Sequence, residues 1–138
     1  MSQPLQLPQL LDEWHRWAEW INNPNRDENQ SSELIGWNEF DWAVQEYPEL
    51  AWRGILDALN QPRMEPHLGM LAAGPLEDLL SMHGENFIER VEVEARTNPK
   101  FAWLLGGVWQ HKMSANIWAR VQSVWDRKGW DGVPRSDG

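Results

Sequence analysis

Phe101–Trp109, FAWLLGGVW, is the stretch whose reading decides the fold. Apart from Gly106 and Gly107 it is wholly apolar, so it belongs in an interior, as a buried strand or a buried helix. So short a run has no periodicity that separates the two. A strand, however, needs a partner, and nothing nearby supplies a second segment of alternating apolar and polar residues. A helix is therefore expected, entered after the Asn98-Pro99 break, with the paired glycines allowing a bend or a tight contact. A sheet here would overturn the fold class.

Working outward, every other apolar segment reads as helix. Leu10, Leu11, Trp14, Trp17, Ala18 and Ile21 form one helical face, with Pro8 suited to a first turn and Asn22-Asn23-Pro24 as the stop. Asn25 to Ser32 is polar without an apolar period and reads as an exposed connection. A second helix is expected from about Asn38 to Tyr47, with Trp37, Phe40, Val44 and Tyr47 on its core side. A third follows Pro48 and carries Trp52, Ile55, Leu56 and Leu59, with Gly54 marking close helix packing. In LGMLAAGPLEDLLSMHG two short helical pieces should meet at Gly74-Pro75, the second closed by Gly84. Phe87, Ile88, Val91 and Ala95 then give an amphipathic helix whose outer face carries Glu85, Glu89, Glu92 and Arg96. Ile117, Trp118, Val121, Val124 and Trp125 give the last, with Lys128 near its end and Gly129 as cap. The expected fold is all-α: one domain of six to eight helices arranged as irregular stacked α-hairpins, without an internal repeat. Within it residues 1–47 are Trp-rich acidic helices, 48–128 the helical core and 129–138 a loose tail.

Composition narrows the classes of function. The 138 residues contain eleven tryptophans, no cysteine and a net charge of −9. Without cysteine there is no disulfide, no thiol chemistry and no thiolate zinc site, which fits a cytoplasmic protein. Neither a signal peptide nor a membrane-spanning run is visible. Charge is front-loaded: residues 1–60 carry −8, 61–98 carry −4 and 99–138 carry +3. Such a surface repels nucleic acid and anionic membranes and steers a basic protein toward it, although solubility alone also explains it. Arg120, Arg127, Lys128 and Arg135 lie near Trp118, Trp125 and Trp130, but the first two of these aromatics already belong to a core stripe, and nucleic-acid binding is not expected.

Trp52, Ile55 and Leu56, then LAAGPLEDLL from Leu71 to Leu80, then Phe87, Arg90 and Glu92, Asn98-Pro99 with Phe101, and LLGGVW from Leu104 to Trp109 form a pattern across residues 51–109. It resembles a family of small bacterial proteins known only as a domain of unknown function. The resemblance implies a helical fold and no activity, and it leaves residues 1–47 outside.

Motifs for nucleophilic catalysis and phosphate binding are missing: no Ser lies in G-x-S-x-G, and GGVW lacks a downstream Lys-Ser or Lys-Thr. No cofactor is expected. The best enzyme reading gathers His67, Glu77, Asp78 and His83 around the helical corner for metal or carboxylate chemistry, but their spacing matches no ligand motif, so no metal is assigned and a solvated face is the simpler account. His15 and Glu19, one helical turn apart, read equally well as an exposed polar pair. Glu77 and Arg90 are expected to bridge neighbouring helices. Two tryptophans fall off their helices' apolar faces: Trp42 among Glu39 and Glu46, and Trp20 beside Glu13. Aromatic rings on an acidic surface are the composition of a protein-binding hot spot, and internal packing or a homodimer contact is the competing explanation. The expected function is a small acidic module that inhibits or sequesters a larger basic protein, of immunity-protein or phage-inhibitor type. A metal- or carboxylate-dependent enzyme and a homo-oligomeric scaffold are the alternatives.

Overall fold

Helix α1, Leu7–Ile21, buries Leu10, Leu11, Trp14 and Ala18, which recur with the helical period on one face. A computed structural model of the chain describes residues 3–130. They fall into two compact units, divided in sequence between His67 and Leu68. Both are built from helices alone, and no strand occurs among the described residues, so the chain is all-α. None of these helices is long and apolar enough to cross a membrane.

In the first unit the polar connection after α1 contains a wholly exposed 3₁₀ turn, Glu28–Glu33, opened by the Asp27 carboxylate accepting the Asn29 N–H at 3.0 Å. Helix α2, Gly36–Glu46, buries Gly36, Phe40, Ala43 and Val44. Its core face thus differs from the expected one: Trp37 is 50% exposed and Tyr47 37%. The reason is a close crossing with α1. A Cβ on Gly36 would collide with the Glu13 carbonyl group, so Gly36 meets the α1 backbone beside buried Phe40, while Trp37 and Tyr47 are turned outward. Helix α3, Pro48–Leu59, starts on its proline and buries Ala51, Trp52, Ile55, Ala58 and Leu59. Gly54 faces the Phe40 ring, the close approach expected of it. A second 3₁₀ turn, Pro62–His67, packs on α1 and α3, with the Arg63 guanidinium donating to Asp12 at 2.6 Å and Met64 buried.

The second unit opens with one short turn, α4, Leu68–Leu71, and a widened π-type turn, Ala72–Leu76, that takes Pro75 into a continuous helical path. Helix α5, Glu77–Thr97, is two helical pieces joined across a kink at His83, beside the expected stop at Gly84. Only His83, at φ −129° and ψ 26°, leaves helical geometry. Gly84 is buried against Ile117, so its missing Cβ serves helix packing and not a left-handed cap. Helix α6, Pro99–Leu105, takes in the first half of FAWLLGGVW and is capped by Asn98, whose side-chain oxygen accepts from Lys100 and Phe101. Helix α7, Ala115–Val124, is capped by Ser114 and ends one residue before Trp125, which meets Trp118 edge-on at 5.2 Å. Gly129, at φ 89°, lies in a later turn and caps no helix. The expected tail from 131 to 138 lies outside the described residues.

Of the other tryptophans expected in the core, Trp14 and Trp52 are buried, Trp17, Trp103, Trp118 and Trp125 are half-buried at the rim, and Trp109, at the end of FAWLLGGVW, is 55% exposed. An apolar stripe is wider than the contact it makes, so its flanking rings keep an edge in water.

Between α5 and α7 the Arg120 guanidinium grips Glu92 with both nitrogens, at 2.6 and 3.0 Å. That hydrogen bond, chiefly, holds the Glu92 carboxyl below its ordinary value of 4.5, against the upward push of burial. A depressed folded-state pKa gives stability that is complete above 4.5 and is lost as pH falls through the folded value. In thermal melts from pH 6 to about pH 3, Glu92→Gln should therefore lose stability less steeply than the wild type. Parallel acid limbs in the two proteins would refute this assignment.

Candidate functional site

The sequence-expected binding residues Trp20, Trp42, Glu13, Glu39 and Glu46 all lie in the first unit, but they have different surroundings. The Trp20 indole N–H donates to the Asp27 carbonyl at 2.9 Å, and Arg26 covers its ring at 5.4 Å. This ring anchors the connection after α1. Glu13 is half-buried and 3.9 Å from Arg16. Trp42, in contrast, is half-buried with its ring edge-on to half-exposed Tyr47 at 5.3 Å, while Glu39 is half-buried and Glu46 exposed. Tyr47 also lines an open recess of about 450 Å³ with Leu5, Leu7, Leu50 and Arg53, and Glu49 stands at its rim. The ring pair at the C-terminal end of α2 is thus Trp42 and Tyr47, while Trp20 is engaged by Asp27 and Arg26.

A second group of polar side chains converges at α1. His15 and Glu19, at i and i+4, share a face, and the turn after Pro66 brings His67 to them. Glu19 Oε1 is 3.4 Å from His15 Nε2, and Glu19 Oε2 is 3.5 Å from His67 Nε2. The two rings meet edge-on at 5.5 Å. His67 is only 2% exposed, and neither Nε2 has a hydrogen-bond partner. Burial, first, and then the Arg63 charge push the His15 pKa below the usual imidazole value, although Glu19 and the Arg63 backbone pull it up. The neutral ring, whose nitrogen lone pair is free to act as a donor, is thereby favoured. Sequence reasoning separated these residues because His67 is 48 positions beyond Glu19; the only local signal was the His15–Glu19 spacing.

The cluster expected around His67, Glu77, Asp78 and His83 divides differently. His67 belongs to the first unit, while the other three are on α5 in the second. The Glu77 carboxylate accepts the Trp109 N–H at 2.7 Å; burial raises its pKa, and that hydrogen bond partly offsets the rise. The expected Glu77–Arg90 bridge is not formed. Both residues lie on α5, thirteen positions apart, and Arg90 stacks over the Phe87 ring at 4.9 Å. His83, at the kink, lines a recess of about 320 Å³ with Glu85 and Lys112. Of the basic residues weighed for nucleic acid, Arg120 holds Glu92 and Arg127 donates to the Gly106 carbonyl at 2.7 Å. Arg135 lies outside the described residues.

A family model described as a family of unknown function (DUF6869) matches residues 25–129. The match is longer than the 51–109 pattern, since it takes in the connection after α1 and the whole of α2, and it leaves α1 outside. No curated protein and no solved structure matches the chain.

Proposed function

Since the chain belongs to the DUF6869 family of unknown function, which supplies no activity, we propose from its own surface that it inhibits or sequesters a larger basic protein, as immunity proteins and phage-encoded inhibitors do. The observation that carries this reading is the edge-on Trp42–Tyr47 pair, left partly open to solvent beside Glu46 and an apolar recess. Exposed Trp37 and Ile35 extend the apolar surface of α2 and its approach. Large rings give a partner contact area at little cost in side-chain entropy, and an open recess accepts one apolar side chain. Residues 1–67 carry twelve acids and four Lys or Arg, a net −8, so the complementary partner is basic.

The test compares tagged wild type, Trp42→Ala, and the double variant Glu39→Lys with Glu46→Lys in capture from host or phage-infected cells, followed by binding kinetics on the captured protein. A basic partner should bind the wild type more weakly as salt rises. Loss of Trp42 should speed its dissociation at least about tenfold, and the charge reversals should slow association and flatten the salt dependence. Equal capture by all three proteins, or unfolding of Trp42→Ala, removes the proposal. Self-association of the wild type that Trp42→Ala abolishes would make the partner a second copy and overturn the sequestering role.

A further inference from the structure

The geometry at α1 points to a site for a divalent transition-metal ion, Zn²⁺ by its donor set, held by His15 Nε2, His67 Nε2 and the Glu19 carboxylate. The site is separate from the α2 surface. One ligand atom from each of the three residues lies within 4.8 Å of the other two. The carboxylate-to-imidazole separations of 3.4 and 3.5 Å are long for N–H···O hydrogen bonds, which cluster at 2.7–3.2 Å. They leave the two carboxylate oxygens each facing one imidazole nitrogen, with the three donor groups close enough for one small cation to draw them together.

Exposed Glu19 beside one histidine would be unremarkable on a helix; the independent observation is His67. This ring is 98% buried, its Nε2 has no hydrogen-bond partner, and that nitrogen faces Glu19. A buried polar atom left without a partner is costly, and a cation between the three donors removes that cost at both rings. The outer contact also suits a ligand. The Asn22 carboxamide meets His67 Nδ1 at 3.1 Å, and its nitrogen and oxygen ends are interchangeable in position. With the oxygen toward the ring, Asn22 accepts the Nδ1–H and presents the Nε2 lone pair to the metal, the usual support of a ligating histidine.

Two neutral imidazoles and one carboxylate are borderline donors, suited to Zn²⁺ more than to Mg²⁺ or Ca²⁺, which take oxygen. Three protein ligands leave a coordination place open to water, as in catalytic zinc sites. His15 and Glu19 lie on α1, before residue 25, so the family-matched span holds only His67 of the three ligands.

The full-length protein, stripped with chelator and dialysed, is titrated with Zn²⁺ alone by calorimetry and separately with Co²⁺ by visible absorption. Wild type should bind one equivalent with a micromolar or tighter dissociation constant, gain thermal stability with Zn²⁺, and give the intense d–d bands of four-coordinate Co²⁺. Glu19 is 61% exposed at its side chain, so Glu19→Gln should keep the metal-free melting profile while losing at least about tenfold in affinity. His15→Ala should lose the Co²⁺ bands. Unchanged Zn²⁺ affinity in Glu19→Gln, absence of one-equivalent binding by the wild type, or an octahedral Co²⁺ spectrum would each overturn the site.

Discussion

Trp14→Ala should destabilise the protein by about 3–5 kcal/mol, with its denaturant midpoint, read by far-ultraviolet circular dichroism, falling accordingly. Trp14 is 1% exposed and meets both Trp17 and Phe40 at 6.2 Å between ring centroids, the latter edge-on. The indole therefore ties α1 to α2, and its removal leaves a cavity whose walls are helix faces already in contact elsewhere. They cannot close over it. Trp37→Ala is the matched control, since that ring is half exposed and should cost less than about 1 kcal/mol. Equal losses in the two variants would show that the first unit's core has been misplaced.

Gly36→Val should produce a loss of similar size, on the order of 4 kcal/mol, by the opposite means. The added carbons would meet the Glu13 carbonyl and the Trp14 Cα, which are backbone atoms of α1 and have no rotamer through which to escape. Relief requires the two helices to separate, which uncovers Phe40 and Trp14 together. Gly74→Ala provides the contrast, because a Cβ there meets nothing within 4 Å and alanine restricts the unfolded chain. It should be neutral or slightly stabilising in the same assay. A Gly36→Val protein with wild-type stability would mean that α1 and α2 do not cross at this point.

Helix α1 was legible because four turns of apolar residues reinforce one another, and α3 because proline starts it and proline follows it. FAWLLGGVW was legible by elimination, as a run with no strand partner. Gly54 marked a close approach as expected, and what failed was the reading of Gly84 and Gly129 as helix caps. Gly84 has the same residue type whether it caps a helix or admits Ile117, and only the neighbour decides. The face of α2 was half misjudged: Phe40 and Val44 are buried as expected, but Trp37 and Tyr47 turn outward because Gly36 is the residue that meets the α1 backbone. The metal site was half legible. His15 and Glu19 show their shared face in the helical period, whereas His67 reaches them only through α2, α3 and the turn at Pro62–His67, a path no local pattern encodes.

Residues 126–130 give the end of the second unit a temporal consequence. The Asp126 N–H donates to the Ala102 carbonyl at 2.8 Å, Arg127 to Gly106, and the Trp130 indole to the Trp103 carbonyl at 2.8 Å. Helix α6 has only seven residues, too few to persist alone in water, and its Ala102 and Trp103 carbonyls, which also accept the Gly106 N–H, take a second donor from chain made more than twenty residues later. On a ribosome, α6 would remain an open, apolar, Trp-bearing turn until residue 130 had cleared the exit tunnel. Its Ala102 and Trp103 carbonyls would gain their second donors only after residues 126–130 had emerged.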